Sequence, residues 1–404
     1  MRSKALIYLT FLLFIAKATS VSNATMLKEL VKPEVVLEWN EIVYDVKDPD
    51  IARRWERSEI HGKMLMQGIK IDKDGNIYIS TARWNGSESP STLSKVVKTS
   101  EGYKLQPYPS EQMNDVMNPE GIKSVLGFEI DRNNIMWILD QGHIGEAPSN
   151  PGDEKLILWN ITKNKEIKRY IFSDEDTDKT SSFLNDIVVD NDSGFAYITD
   201  SGIYSDPLDG GLIIYDSNRN KARRIFDASS LTSNDPNFVF NMSNRPVSKE
   251  GEMRTGANGI ALTGDKKILY WTNEASNKLY SIKTVLLRDF RISESSLESA
   301  VKTMVLPSNT DGLTSDRDNN IYLSALMLNG VLKLNAVTGQ ISRFVYHPEM
   351  VWPDTFAWHP DGSLYLLSNH LNIWVDGDMN FKDPNEPNFR IWRIPISAQP
   401  YLAP

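Results

Sequence analysis

Gln67-Gly68-Ile69-Lys70-Ile71-Asp72, then Lys73-Asp74-Gly75-Asn76, then Ile77-Tyr78-Ile79-Ser80 is the stretch that decides the fold. An alternating apolar run, an Asp/Gly/Asn turn and a second apolar run spell a β-hairpin. The phrase returns as Leu126 to Asp131 before Ile135 to Ile138, and as Asn185 to Asp190 before Phe195 to Ile198. It returns again as Asn258 to Leu262 before Ile268 to Trp271, and as Asp311-Gly312-Leu313 before Ile321 to Ser324. The last copy is Asp354 to His359 before Leu364 to Leu367. A strand-only repeat of about 40 to 70 residues reads as propeller blades with loop insertions. The expectation is an all-β, six-bladed β-propeller in which each hairpin supplies the two inner strands of a blade. The opening residues Gln67, Leu126, Asn185, Asn258, Asp311 and Asp354 should then face the axis from six directions. All but Leu126 are polar, and none is needed to pack a core, so they point to one shared polar site at the channel mouth.

A chain of 404 residues could hold several ordinary domains. A ring of blades escapes that limit because each blade buries its faces against its neighbours, so residues 33–398 are read as one domain. Forty per cent apolar residues and ten Trp supply a packed interior. The net charge of −9 argues against a nucleic-acid or anionic-membrane partner and leaves small molecules, cations and proteins. At the N-terminus, Arg2 and Lys4 precede an apolar run from Ala5 to Ala16 and small residues at Ala18-Thr19-Ser20. That pattern reads residues 1–20 as a signal peptide, too short to span a bilayer, and predicts a secreted, extracellular protein. Cysteine is absent, which excludes thiol catalysis, Cys-ligated zinc and iron–sulfur chemistry. Asn23, Asn85, Asn160, Asn191 and Asn241 stand in Asn-x-Ser/Thr triplets and are candidate glycosylation sites.

A ring has to be closed. Val35 to Ile42 is strand-like yet precedes the first hairpin, and Phe389 to Ile394 alternates after the sixth. The two are expected to pair in one blade, so that strands from both ends of the chain fasten the circle and leave no free edge there. Asp50 to Ser58 reads as a short helix, Pro109 to Gly121 as a loop above the ring, and Val285 to Val301 as helical. The long polar insertion from Phe226 to Thr255 is the lid candidate.

Further stretches carry a family resemblance. They are Val36-Leu37-Glu38-Trp39, Arg83-Trp84-Asn85-Gly86, Leu105-Gln106-Pro107-Tyr108-Pro109, Met136 through Gly142, Leu269-Tyr270-Trp271, and Leu367-Ser368-Asn369 through Asn388-Phe389-Arg390-Ile391. In this order they resemble the major royal jelly protein and Yellow family. The resemblance implies a secreted six-bladed propeller; some members bind biogenic amines and some convert dopachrome. Members usually carry paired cysteines, which this chain lacks.

The axial ring is also similar to gluconolactonase and senescence-marker-type propellers, through Asn185-Asp186, Asn258-Gly259 and Asp311-Gly312. In those, two Asn and an Asp join a first-blade Glu around calcium or a similar ion. That resemblance makes Asn185, Asn258 and Asp311 the candidate metal ligands, with Gln67 standing where the Glu would be and Asp354 able to return its charge. An all-oxygen set suits calcium. Ion-assisted lactone or ester hydrolysis would then draw on Asp186, His143 or His370. Trp137, Trp159, Trp271 and Trp358 fall in strands and are expected to pack between blades. Arg83, Phe356 and Trp352 are expected at the channel mouth, where aromatic walls over a polar floor suit a small amine or aromatic ligand. The leading expectation is thus a ligand-binding propeller using Gln67, Asn185, Asn258, Asp311, Asp354, Arg83 and Phe356. An ion-dependent lactonase or esterase at the same ring and a structural or storage glycoprotein remain open alternatives.

Overall fold

The hairpins form because each turn carries its own clamp. In the computed structural model, which describes residues 30–242, 245–249, 253–383 and 385–403, Asp72 accepts the N–H of Asp74 and of Asn76 at 2.9 Å each and the Tyr78 hydroxyl at 3.1 Å. Asp316 does the same with Asp318, Asn320 and Tyr322 at 3.0, 2.9 and 2.9 Å. Asp131 clamps Asn133 and Ile135 and takes the Trp137 indole N–H at 3.0 Å. A carboxylate that satisfies turn amides, followed by an aromatic residue that reaches back to it, is a local device. The turn position needing a left-handed backbone is held by Gly75 (φ 82°) or by Asn319 (φ 62°).

Each hairpin extends to a four-stranded antiparallel blade, and six blades close the ring. Blade one comprises Ile69–Ile71, Ile77–Ser80, Leu93–Thr99 and Gly102–Pro107; blade two comprises Val125–Ile130, Ile135–Asp140, Lys155–Asn160 and Lys165–Ile171. Blade three comprises Leu184–Asp190, Phe195–Asp200, Gly211–Asp216 and Lys221–Ile225, and blade four Ala257–Leu262, Ile268–Asn273, Lys278–Lys283 and Lys302–Val305. Blade five comprises Leu313–Ser315, Asn320–Ala325, Gly330–Asn335 and Ile341–Tyr346. Blade six takes Pro353–Trp358, Leu364–Ser368 and Phe389–Ile394 from the C-terminal end and Glu34–Trp39 from the N-terminal end, paired from Glu34 opposite Arg393 to Trp39 opposite Phe389. The expected closure is there, and the expected signal peptide at 1–20 and Asn23 lie outside the described residues. Trp137, Trp159 and Trp271 are buried in the blades. Trp358 is half-buried and donates to Thr314 Oγ1 at 3.0 Å, tying blade six to blade five.

Insertions sit around this ring. Pro49–Glu56 is a helix capped by Asp48, Glu111–Asn114 is a helical turn within the loop after blade one, and Thr284–Arg288 and Glu294–Ala300 are helices before the last strand of blade four. In the lid candidate, Asn241–Met242 pairs with Arg245–Pro246, and Phe240, Met242 and Val247 pack in one apolar cluster with Trp352.

Two features shape the mouth. Inner strands bulge where they begin, between Val125 and Phe128, Leu184 and Ile187, Ala257 and Ile260, and Pro353 and Phe356, which re-aims the opening side chains. Neighbouring inner strands also approach closely: a Cβ on Gly259 would lie 2.0 Å from the Asp311 carbonyl oxygen, and one on Gly312 2.3 Å from that of Asp354. Only glycine allows that contact. Asp186 and Thr355 occupy the corresponding positions in blades three and six.

Candidate functional site

The bulges and close approaches bring Gln67, Asn185, Asn258, Asp311 and Asp354 to a single axial cavity of about 370 Å³. Each is fastened from behind. Gln67 Oε1 accepts the Ala82 N–H at 2.7 Å, which leaves its Nε2 buried and unpaired. Asn185 Nδ2 donates to Ser201 Oγ at 3.1 Å, and Asn258 Nδ2 to Glu274 Oε2 at 3.0 Å. Asp311 accepts the Trp352 indole N–H at 2.8 Å, and Asp354 accepts Thr355 Oγ1 at 2.7 Å and Asn369 Nδ2 at 2.5 Å.

Ser201, Glu274 and Asn369 thus form an outer set that the sequence reading missed. They follow the second strands of blades three, four and six, at 16, 16 and 15 residues beyond Asn185, Asn258 and Asp354. That near-constant spacing is the signal that could have found them. Glu274 matters most, because it lines the cavity itself and its Oε1 has no partner.

The cavity is acidic and sheltered. Burial lifts Asp311 to about 7 and Asp186 to about 6, the latter against the pull of Lys70. Burial, reinforced by the Asp311 charge, holds Glu274 and Asp354 well above the usual carboxylate range. Among the described residues lining the cavity, Lys70 is the single Lys or Arg; it donates to the Phe356 carbonyl at 3.3 Å and faces Glu129 at 3.5 Å. Above the carboxylates runs an aromatic rim: Trp374 to Trp84 at 5.7 Å, Trp84 to Phe183 at 5.7 Å, and Phe183 to Tyr204 at 5.7 Å between ring centroids. Trp84 Nε1 is buried without a partner.

Other expected site residues lie elsewhere. Arg83 is fully buried, and its guanidinium donates to the carbonyls of Lys123 at 2.5 Å and Asn114 at 2.7 Å and to Ser89 Oγ at 3.1 Å. It braces the loop below the mouth, because its neighbour Trp84 takes the cavity-facing position. Phe356 follows the blade-six bulge, packs in the core with Tyr322 and Trp392, and borders a second cavity at the opposite end of the axis. Trp352 is buried behind Asp311 rather than exposed at the mouth. Asp186 lines the axial cavity; His143 and His370 do not. His143 stacks on the outer face of Tyr204 at 4.8 Å and places Nδ1 3.0 Å from the Ala147 carbonyl. His370 is half-buried, and burial followed by the Arg390 charge lowers it to about 4.

Asn185, Asn258 and Asp311 share the cavity, as an ion site would require, but blade one presents Gln67 Nε2, a donor, where a hard cation asks for an oxygen. Among the described residues no three Asp, Glu or His groups gather as a metal-binding cluster. Of the glycosylation candidates, Asn241 is exposed and Asn160 half-buried, whereas Asn85 donates to the Lys63 carbonyl at 2.8 Å and Asn191 to Asp131 Oδ2 at 2.8 Å.

Comparison with known proteins agrees with this architecture. Regucalcin of Agrobacterium tumefaciens, described as a calcium-binding protein, matches with a TM-score of 0.50 and 13% identity over 83% of this chain and 91% of that one, a likeness of fold alone. Protein yellow of Drosophila erecta is 24% identical over 403 residues, covering 89% of this chain and 68% of that protein. Major royal jelly protein 9 of Apis mellifera is 22% identical over 362 residues, covering 82% of each. The profile of the major royal jelly protein family matches residues 123–400, most of the ring, and with the six blades and the Yellow relatives it shows that this chain belongs to the major royal jelly protein and Yellow family.

Proposed function

We propose that this protein is a secreted propeller that binds a small organic amine in its axial cavity. One observation carries the reading: Glu274, Asp311 and Asp354 line one sheltered cavity in which the single Lys or Arg among the described residues, Lys70, is already engaged by Glu129 and a carbonyl. Buried carboxylates without a counter-charge are costly, and a ligand ammonium supplies one. The rim of Trp84, Phe183, Tyr204 and Trp374 suits the organic body of such a ligand and adds cation–π attraction. Secretion is supported by the charged and apolar pattern of residues 1–20, and among the described residues no helix is long and apolar enough to cross a membrane. Exposed Asn241 is the best-placed triplet for a glycan.

Titration calorimetry with benzylamine and its neutral isostere benzyl alcohol tests the site. Benzylamine is expected to bind saturably, about tenfold or more tighter than the alcohol, and Trp374→Ala is expected to weaken it. Equal affinity for the two, or no binding of the amine, overturns the reading.

A further inference from the structure

The cavity holds more carboxyl groups than one ammonium can pair with. Asp186, Glu274, Asp311 and Asp354 come from four successive blades, while Lys70 is shared with Glu129. The protein groups that donate to these carboxylates are neutral: a backbone amide on Asp186, Asn258 on Glu274, Trp352 on Asp311, and Thr355 and Asn369 on Asp354. Independently of the number of carboxyls, four buried polar atoms of described residues lining the cavity lack partners, Gln67 Nε2, Trp84 Nε1, Thr255 Oγ1 and Glu274 Oε1, with Gln67 and Glu274 only 1% and 2% exposed. A protein surface that needed nothing would satisfy such atoms internally.

The arrangement also distinguishes between kinds of cation. A hard metal ion draws its oxygens to one point at about 2.3 to 2.6 Å. Here the carboxyls are contributed by four successive blades, and among the described residues no three of them close into a metal-binding group. Carboxyls that do not converge on one point match positive groups that are likewise separated.

Resting on the amine reading, we infer that the ligand is an organic dication, with two ammonium groups separated by an apolar body that fits under the aromatic rim. One ammonium sits among Glu274, Asp311 and Asp354, and the other lies toward Asp186. Burial raises all four carboxyls, and an ammonium placed beside them favours their ionised forms. The other titratable groups lining the cavity among the described residues are Lys70, with its partner Glu129, Tyr204 and Glu146.

Three ligands built on one ring test this: benzylamine, para-xylylenediamine and para-(aminomethyl)benzoate, carrying one, two and no net positive charges. Calorimetry on the unmodified full chain at neutral pH is expected to rank the diamine tightest, by about tenfold or more over benzylamine, with the zwitterion weakest. Asp311→Asn and, separately, Glu274→Gln are expected to lower the diamine's affinity more than benzylamine's, with melting curves confirming that each variant is folded. If a variant does not fold, the ranking on the unmodified chain decides. Equal binding of diamine and benzylamine overturns the inference and leaves the amine reading standing. So does tightest binding by the zwitterion, which would mean that Gln67 Nε2 and Lys70 read a ligand acceptor, or displacement of the diamine by calcium. No binding of any of the three overturns both.

Discussion

At Asp311 a single side chain gathers the chemistry of the mouth. It opens blade five, accepts the Trp352 indole N–H at 2.8 Å, and is raised from 3.8 to about 7 by burial. A carboxyl raised on folding contributes stability that is complete below its unfolded value and is lost as pH climbs through its folded one. The ligand-free protein should therefore lose stability between about pH 4 and pH 7 on account of this group. Asn in its place keeps an acceptor for Trp352 but never ionises. Asp311→Asn is expected to stabilise the ligand-free protein by about 2 kcal/mol at pH 8 and by little at pH 4. Urea unfolding at the two pH values checks this; a larger gain at pH 4 would contradict the buried-charge account.

Among the elements, the segment from Val31 to Asp45 has the widest reach. Val31 donates to the Phe344 carbonyl of blade five at 3.0 Å, Glu34–Trp39 forms the outer strand of blade six, and Val43 and Asp45 bond with Leu105 of blade one at 2.8 and 2.9 Å. One extended stretch thus staples three neighbouring blades across the seam, where a chain without cysteine has no covalent alternative. Backbone ladders hold because an open strand edge would leave its amides unpaired. Removing residues up to Asp45 is expected to expose Phe389–Ile394 and to raise hydrogen exchange first in blades six and one. Exchange that rises uniformly around the ring would show that the seam is no weaker than any other joint.

For the molecule as a whole, the axis is divided rather than open. The axial cavity and a second one of about 320 Å³ at the other end share Lys70, and the segment 398–403 lies under the ring. Ala398 bonds to Gly362, Gln399 to Arg317 and Tyr401 to Ser315 at 3.0, 2.8 and 3.2 Å, so blades five and six hold the segment. From there the Tyr401 hydroxyl donates to Glu129 of blade two at 3.3 Å and accepts the Val189 N–H of blade three at 3.3 Å. One phenol therefore bridges opposite sides of the floor. Truncation after Ile396 is expected to speed exchange of the Val189 amide by about tenfold or more. An unchanged Val189 would mean that the floor closes without the tail.

The blade count, the closure and the six converging positions, Leu126 among them, were legible in the sequence because their causes are local and repeated. Asp72 clamps its own turn within six residues, and a strand's alternation places its side chains whatever lies around it. Position in the family's ring follows from symmetry once the hairpins are counted. Glu274 and the aromatic rim were not legible in the same way, because Glu274, Trp84, Tyr204 and Trp374 stand on loops after second strands and Phe183 on the loop entering blade three, and only closure of the ring brings those loops to one mouth. Arg83 and Phe356 went astray for the same reason: sequence proximity to a ring residue does not say whether a side chain faces the axis, a neighbouring blade or the far end. The sequence alone determined that six like hairpins must close into a circle; the tertiary structure decided which carboxylates share a cavity, since their raised protonation depends on neighbours and burial that come from different blades.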